Sequence, residues 1–284
     1  MNETRGLDVA CYLITHPNSS YSLTKFTVFS SHFRTNLTVI SKNQFSHRDV
    51  KPNDLVRESL QSTKVYNEWA RYAGFHKSRI TYNDVSRILK SWAKAFLPIW
   101  RRKRKTSIAR ILNINMSHME ALEKFISSGR LYGMIIEDDA QIVDVSNAQF
   151  EISVLLDFLS SEYTADVPIY IELSESFSYE AMRATNLLNV RTDSFLTEVS
   201  VRNRVYQPLK PFPNTTCAYL LNTEMAKAML KDLRFSLQSK RYRTLPVDWV
   251  YLKYFMKTKR ENVVNLHVVP GVFKQGSIHN ISKN

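Results

Sequence analysis

Three consecutive carboxylates, Glu137-Asp138-Asp139, follow directly on the apolar run Met134-Ile135-Ile136. Packed side by side they repel one another and would partly protonate, unless a hard divalent cation that takes oxygen ligands, Mg2+ or Mn2+, holds them. A solvated acidic turn after a strand is the simpler alternative, and the pattern alone leaves both open. Alternation along an extended chain turns Glu137 and Asp139 to one side and Asp138 to the other, so that one pair meets a ligand together.

Other residues could do chemistry nearby. A helix predicted over Ser107 to Ser128 carries Ile108, Ile111, Leu112, Met119, Leu122, Phe125 and Ile126 on one stripe, and His118 lies at the edge of that stripe. It is either a satisfied core histidine or one that looks toward the site, because this helix leads into the acidic segment. Asp248 stands in the first turn of a helix opened by Pro246, where a carboxylate complements the helix dipole without any chemistry. Glu172 and Glu175 either add charge to the same region or lie in a solvated turn.

The element that must position the triplet is a strand from Leu131 to Ile136, with Gly129 ending the helix before it and Gly133 its one weak spot. Its apolar character implies cover on both faces, as in a central strand of a layered α/β sheet. Ligands of such sheets bind beyond the carboxyl ends of the strands. Further strands are predicted over Leu7 to Thr15, Asn36 to Ser41, Val167 to Leu173, Thr215 to Leu221 and Val263 to Val269, with a weaker one over Phe195 to Val201. Amphipathic helices fall over Ser22 to Phe33, Ala148 to Leu159 and from Asn222-Thr223 onward. Arg202 to Pro213 reads as a loop able to cover a site, and Pro270 to Asn280 as a tail.

Residues 45–105 read as a helical insertion, with Trp69, Tyr72, Trp92, Phe96 and Trp100 spaced for packing. At its end Arg101-Arg102-Lys103-Arg104-Lys105 is the densest charge in the chain, expected on an exposed connector. Docking on an anionic membrane surface or glycan is its functional alternative. Nucleic acid fits less well, since the run has no interleaved aromatics and no accompanying recognition motif.

With 39 Lys and Arg against 26 Asp and Glu, the net charge of +13 favours an anionic partner such as a nucleotide, lipid head group or glycan. The 44% hydrophobic content suffices for a large core, and we expect one domain over 1–284. Cys11 and Cys217 lie in apolar runs and are expected as buried free thiols. No stretch of about 18 apolar residues occurs, and the amino terminus lacks the apolar core of a secretory signal, so the expected location is the cytoplasm.

In this order the pieces resemble glycosyltransferase family 25, the lipopolysaccharide-type glycosyltransferases related to collagen galactosyltransferase domains. The resemblance rests on Ser117-His118, Leu122-Glu123-Lys124-Phe125-Ile126, and the tyrosine-containing approach to Ile136-Glu137-Asp138-Asp139-Ala140. It continues through Cys217-Ala218-Tyr219-Leu220-Leu221, Pro246-Val247-Asp248, and Val269-Pro270 leading to Gln275 and Ser277-Ile278. The chain departs from the family at Leu112-Asn113-Ile114-Asn115-Met116, where a Gly-Cys-type run is usual, and at Leu173-Ser174, where Leu-Gly is common. Residues 45–105 match nothing in it.

The resemblance implies a GT-A-like fold, a mixed central sheet flanked by helices that binds a nucleotide-sugar, a UDP-sugar above all. It implies Mn2+ or Mg2+ on Asp139 with Glu137 beside it, and His279 completing the metal shell. It brings Glu137, Asp138, Ser117 and His118 to the donor, and makes Asp248 the base that deprotonates a glycan acceptor in an inverting transfer. The sugar, galactose among the candidates, would go to lipopolysaccharide or another surface saccharide. Two other classes stay open: a metal-dependent phosphodiesterase or nuclease, which would recruit Glu172 and Glu175, and a catalytically silent binder of anionic glycans or membranes.

Overall fold

The computed structural model describes residues 8–15, 23–72, 98–175, 204–208, 210–213 and 216–275. Among these residues, seven strands form the main sheet: β1 (Val9–Ile14), β2 (Thr38–Ile40), β3 (Tyr132–Glu137), β5 (Ile169–Glu172), β7 (Arg204–Tyr206), β8 (Ala218–Asn222) and β9 (Val264–Val269), in the order β2-β1-β3-β8-β5-β9-β7. β1, β2, β3, β5 and β9 run in one direction, and β8 and β7 against them. A second sheet of β4 (Ala140–Gln141), β6 (Ser174–Glu175) and β10 (Phe273–Gln275), in the order β4-β10-β6, continues from the carboxyl ends of β3, β5 and β9.

The helices are α1 (Leu23–Ser31), α2 (Pro52–Tyr72), α3 (Pro98–Ser128), α4 (Val145–Glu162), α5 (Thr223–Gln238) and α6 (Val247–Lys257). They cover both faces of the sheet, as its apolar strands require. Along β1 the side chains alternate: Ala10, Tyr12 and Ile14 join the core under α3, α5 and α6, built with Leu122, Met229 and Phe255. Val9, Cys11 and Leu13 turn to the other core, with Phe26 and Phe29 of α1 and Ile152 and Leu155 of α4. Each fully buried side chain of this kind contributes about 1.5–3 kcal/mol. The mixed sheet between helical layers is the expected α/β architecture. Both cysteines are buried free thiols, with the Cys11 thiol pushed up to about 12 by burial.

Gly133 is not a weak spot but a requirement of the packing. A Cβ there would lie 2.6 Å from Phe125 Cγ, so the missing side chain lets α3 approach β3 closely. Gly129 ends α3 at φ 69°, the left-handed region that a C-terminal cap uses. Asn222 caps α5 as its sequence suggests, its Oδ1 accepting from Met225 N at 3.1 Å.

Several expectations are corrected. The run Arg101 to Lys105 is no connector: α3 continues through it as one helix of 31 residues. Arg and Lys are good helix formers and nothing in the run breaks a helix. Arg104 turns inward to Glu58 and Ser59 of α2, while Arg101, Arg102 and Lys103 stay exposed. The expected loop Arg202 to Pro213 contains strand β7, paired antiparallel with β9. The expected tail contains β10, which ties β4 to β6. The weaker strand over Phe195 to Val201, together with Trp92 and Phe96 of the insertion, lies outside the described residues.

Candidate functional site

β3 ends at Glu137, and the chain turns at Asp138-Asp139 before entering β4. The expected alternation therefore stops at Glu137. All three carboxylates line a single cavity at the carboxyl ends of β1 and β3, with Thr15 after β1, Lys42 after β2, and Arg110 and Ser117 of α3. Thr15 Oγ1 lies 3.4 Å from Asp138 Oδ2, and Gln275 Nε2 of β10 lies 3.4 Å from Asp139 Oδ2. The small sheet thus holds the acidic turn from below. Burial, and after it the charge of Asp139, push the Cys217 thiol well above its usual range, so it stays protonated beside that carboxylate.

Cations stand across the cavity. Lys42 pairs with Glu120, holding that carboxyl below the usual carboxylate range, and its backbone N–H donates to Ser117 Oγ at 3.3 Å. Arg110 is exposed at the rim. The Asn113 side chain clamps the loop that leads here, Oδ1 accepting from Phe45 N and Nδ2 donating to Phe45 O, each at 2.9 Å.

His118 is fully buried and uses both ring nitrogens. Nε2 lies 3.0 Å from Glu137 Oε1 and Nδ1 2.8 Å from the Tyr219 hydroxyl, which is 3.3 Å from that of Tyr251. Burial raises the Tyr219 hydroxyl well above its usual range and that of Tyr251 in the same direction, so both remain donors. One tautomer satisfies every contact, with Nε2–H donating to Glu137 and Nδ1 accepting from Tyr219, which in turn accepts from Tyr251. Thr216 Oγ1 donates to the same Oε1 at 2.7 Å. His118 consequently reaches the cavity through Glu137, and the other oxygen of Glu137 is the one a ligand would meet.

Asp248 opens on a second cavity of about 180 Å³, lined by Tyr66 and Trp69 of α2, Phe212 and Pro213, and Trp249 and Leu252 of α6. Part of its surface still meets this cavity, yet it lies deep enough that burial pushes its carboxyl up to about 6. The bond that Oδ1 accepts from Trp249 N at 2.9 Å pulls the other way, and the charge of Glu137 adds to the rise. The two carboxylates therefore feel one another, although each faces its own cavity. Two anchors hold the walls. Asn115 Nδ2 donates to Leu245 O at 2.8 Å just before α6, and Phe212 is clipped to β9, its N–H donating to Asn265 Oδ1 and its carbonyl meeting His267 Nε2, each at 3.0 Å. Burial holds His267 down at about 4, keeping it neutral. The Tyr72 hydroxyl donates to Pro211 O at 2.9 Å, tying α2 to the same loop.

Glu172 is no solvated turn residue. It is 1% exposed and accepts from the Tyr170 hydroxyl at 3.1 Å and from Ser174 Oγ at 2.6 Å. The Glu175 side chain and His279 lie outside the described residues. Among the described residues no group of three His, Cys, Asp or Glu is arranged to hold a metal ion. The acidic turn offers hard carboxylate oxygens on one cavity, a donor set that fits Mg2+ or Mn2+ bound by one or two carboxylates, with phosphate and water oxygens filling the remaining positions. The structure thus brings together Glu137, Asp138, Asp139 and Ser117, with His118 behind them and Asp248 in the neighbouring cavity.

Sequence reasoning missed Thr216, Tyr219, Tyr251 and the aromatic wall of α2 as parts of these sites. Tyr219 and Tyr251 look like core residues, and only the antiparallel insertion of β8 beside β3 brings the first of them to His118. Compared with models of known protein families and with curated protein sequences, the chain matches none.

Proposed function

We propose that the chain is a glycosyltransferase of GT-A-like architecture that transfers a sugar, with inversion, from a nucleoside-diphosphate sugar to the hydroxyl of a glycan. The observation that carries this reading is the pairing of two neighbouring cavities. One joins three carboxylates at a β3 end with Lys42, Arg110 and Ser117, and the other holds Asp248 among aromatic rings. The resemblance to glycosyltransferase family 25 supports the same reading through the acidic turn and Asp248.

Lys42 and Arg110 attract the donor's diphosphate, and Asp138 and Asp139 are the residues that would hold Mg2+ or Mn2+, with Glu137 steadied by His118 and Thr216. When bound, such an ion neutralises the charge that develops on the leaving diphosphate. Asp248 takes the proton of the acceptor hydroxyl. The hydroxyl oxygen bonds to the anomeric carbon while the bond from that carbon to the diphosphate oxygen breaks, its electron pair leaving with the diphosphate. A carboxyl near 6 is suited to this work, because it is ionised at neutral pH yet basic enough to accept a proton. In this reading the enzyme works in the cytoplasm, with Arg101, Arg102 and Lys103 meeting an anionic membrane.

A phosphodiesterase or nuclease is less well supported. Glu172, its recruit for a second ion, is occupied by Tyr170 and Ser174. The test is a screen of UDP-hexoses with Mn2+, a glycan extract as acceptor and released diphosphate as readout. Transfer by the wild type, with donor binding kept but transfer lost in Asp248→Asn, is expected. Equal loss of both in that variant would reduce Asp248 to a structural residue, and no turnover with any donor would contradict the proposal.

A further inference from the structure

The helical insertion has a place in this chemistry. Its helix α2 presents Tyr66 and Trp69 to Trp249 of α6, with the Tyr66 ring centroid 6.2 Å from that of Trp69 and 6.4 Å from that of Trp249. The three residues are half-buried, so their rings are shielded yet still reach the cavity surface. Phe212 and Pro213 close the opposite side, held there by Asn265, His267 and Tyr72. Among the described residues that line this cavity, Asp248 is the one carboxylate.

We infer that this aromatic cavity is the acceptor subsite, and that it takes one neutral pyranose ring, stacked by its C–H face on Trp69, Tyr66 and Trp249 with a hydroxyl directed to Asp248. The inference rests on the glycosyltransferase reading and adds to it the class of acceptor and the part of the chain that selects it. Size limits the occupant: about 180 Å³ is below the ~300–1,000 Å³ of pockets for drug-sized ligands, which suits a single ring. Charge limits it further. Among the described residues no Lys or Arg lines the cavity, whereas Lys42 and Arg110 line the acidic one, so an anionic sugar or phosphate would meet the Asp248 carboxylate there without a lining cation from these residues. Aromatic walls with a few polar groups also suit a pyranose, whose faces are apolar and whose edge carries hydroxyls. Asp248 can then orient the ring and receive its proton from one position.

The test is saturation-transfer NMR of the full chain with methyl glucopyranosides, methyl galactopyranosides and methyl glucuronide, with and without UDP and Mn2+, beside thermal shifts by UDP and Mn2+. Neutral pyranosides should bind, the glucuronide should not, and UDP should leave their binding intact. Trp69→Leu, which keeps apolar bulk but removes the ring, should weaken pyranoside binding about tenfold while its UDP shift stays that of the wild type. If Trp69→Leu does not fold, Tyr66→Ala carries the same expectation. Displacement of the pyranosides by UDP would make this the nucleobase site and overturn the inference. So would no pyranoside binding, preferential glucuronide binding, or unchanged binding in the variants. Loss of the UDP shift in the wild type strikes the donor reading instead, so the two failures are told apart.

Discussion

Asp248 and Tyr251 lie three residues apart on α6, so a single turn of helix serves both the carboxylate of the aromatic cavity and the hydrogen-bond chain that ends on Glu137. Within that chain the bonds differ in length, and so should the cost of cutting them. Tyr219→Phe leaves buried His118 Nδ1 without its 2.8 Å partner and is expected to cost about 1–3 kcal/mol, whereas Tyr251→Phe removes only the 3.3 Å contact and should cost less than about 1 kcal/mol. Urea unfolding of the two variants checks the order. Equal costs would mean that His118 is not held through Tyr219.

The raised carboxyl of Asp248 makes two pH predictions. Transfer should rise with pH through about 6, as the base becomes ionised, and level off above it. Stability runs the other way. A carboxyl at about 6 in the folded chain and near 3.8 in the unfolded one binds more protons when folded between those values, so its contribution falls as pH rises from about 4 to about 6. Asp248→Asn should therefore be more stable than the wild type by about 1–3 kcal/mol above pH 6, and equal to it below pH 4. Melting curves of both proteins across this range give the difference. His267 titrates oppositely, losing stability as pH falls from its usual 6.5 toward about 4, and cancels from the comparison because both proteins carry it.

The Phe125 ring against Gly133 makes the contact between α3 and β3 sensitive to one methyl group. Gly133→Ala is expected to lower stability by about 1–3 kcal/mol through overpacking, and Phe125→Leu in the same chain to restore part of it. Thermal melts of the single and double variants test this. A neutral Gly133→Ala would show that the helix moves aside.

Hydrophobic patterning made the acidic strand and both apolar cores legible, since a strand covered on two faces reads as a continuous apolar run. The triplet was visible because packed carboxylates beside an apolar run demand a counter-charge, whereas the helix dipole already accounts for Asp248, which only the family resemblance singled out. Long-range pairing was not visible. Nothing local shows that β8 enters antiparallel between β3 and β5, and that placement alone carries Thr216 and Tyr219 to Glu137 and His118. Whether the strand continued or turned at Asp138-Asp139 was left open for a related reason. It depends on β10, over a hundred residues later, pairing with β4.

Arg104 and Arg101 belong to the same basic run but do different things. Arg104→Ala should cost about 1–3 kcal/mol in urea unfolding, because it removes the charged partner of half-buried Glu58 and one hydrogen bond of buried Ser59. Arg101→Glu with Arg102→Glu should leave stability unchanged and abolish sedimentation with phosphatidylserine vesicles at low salt. Vesicle binding that survives the double change would move the anionic surface elsewhere.

The most direct test of the acidic turn is calorimetric titration of UDP into the full chain with Mn2+, with EDTA, and in Asp139→Ala with Mn2+. Binding is expected in the first case, with a loss of at least about tenfold in the other two. UDP affinity unchanged by EDTA and by Asp139→Ala would contradict the claim that this carboxylate holds a divalent ion against a diphosphate.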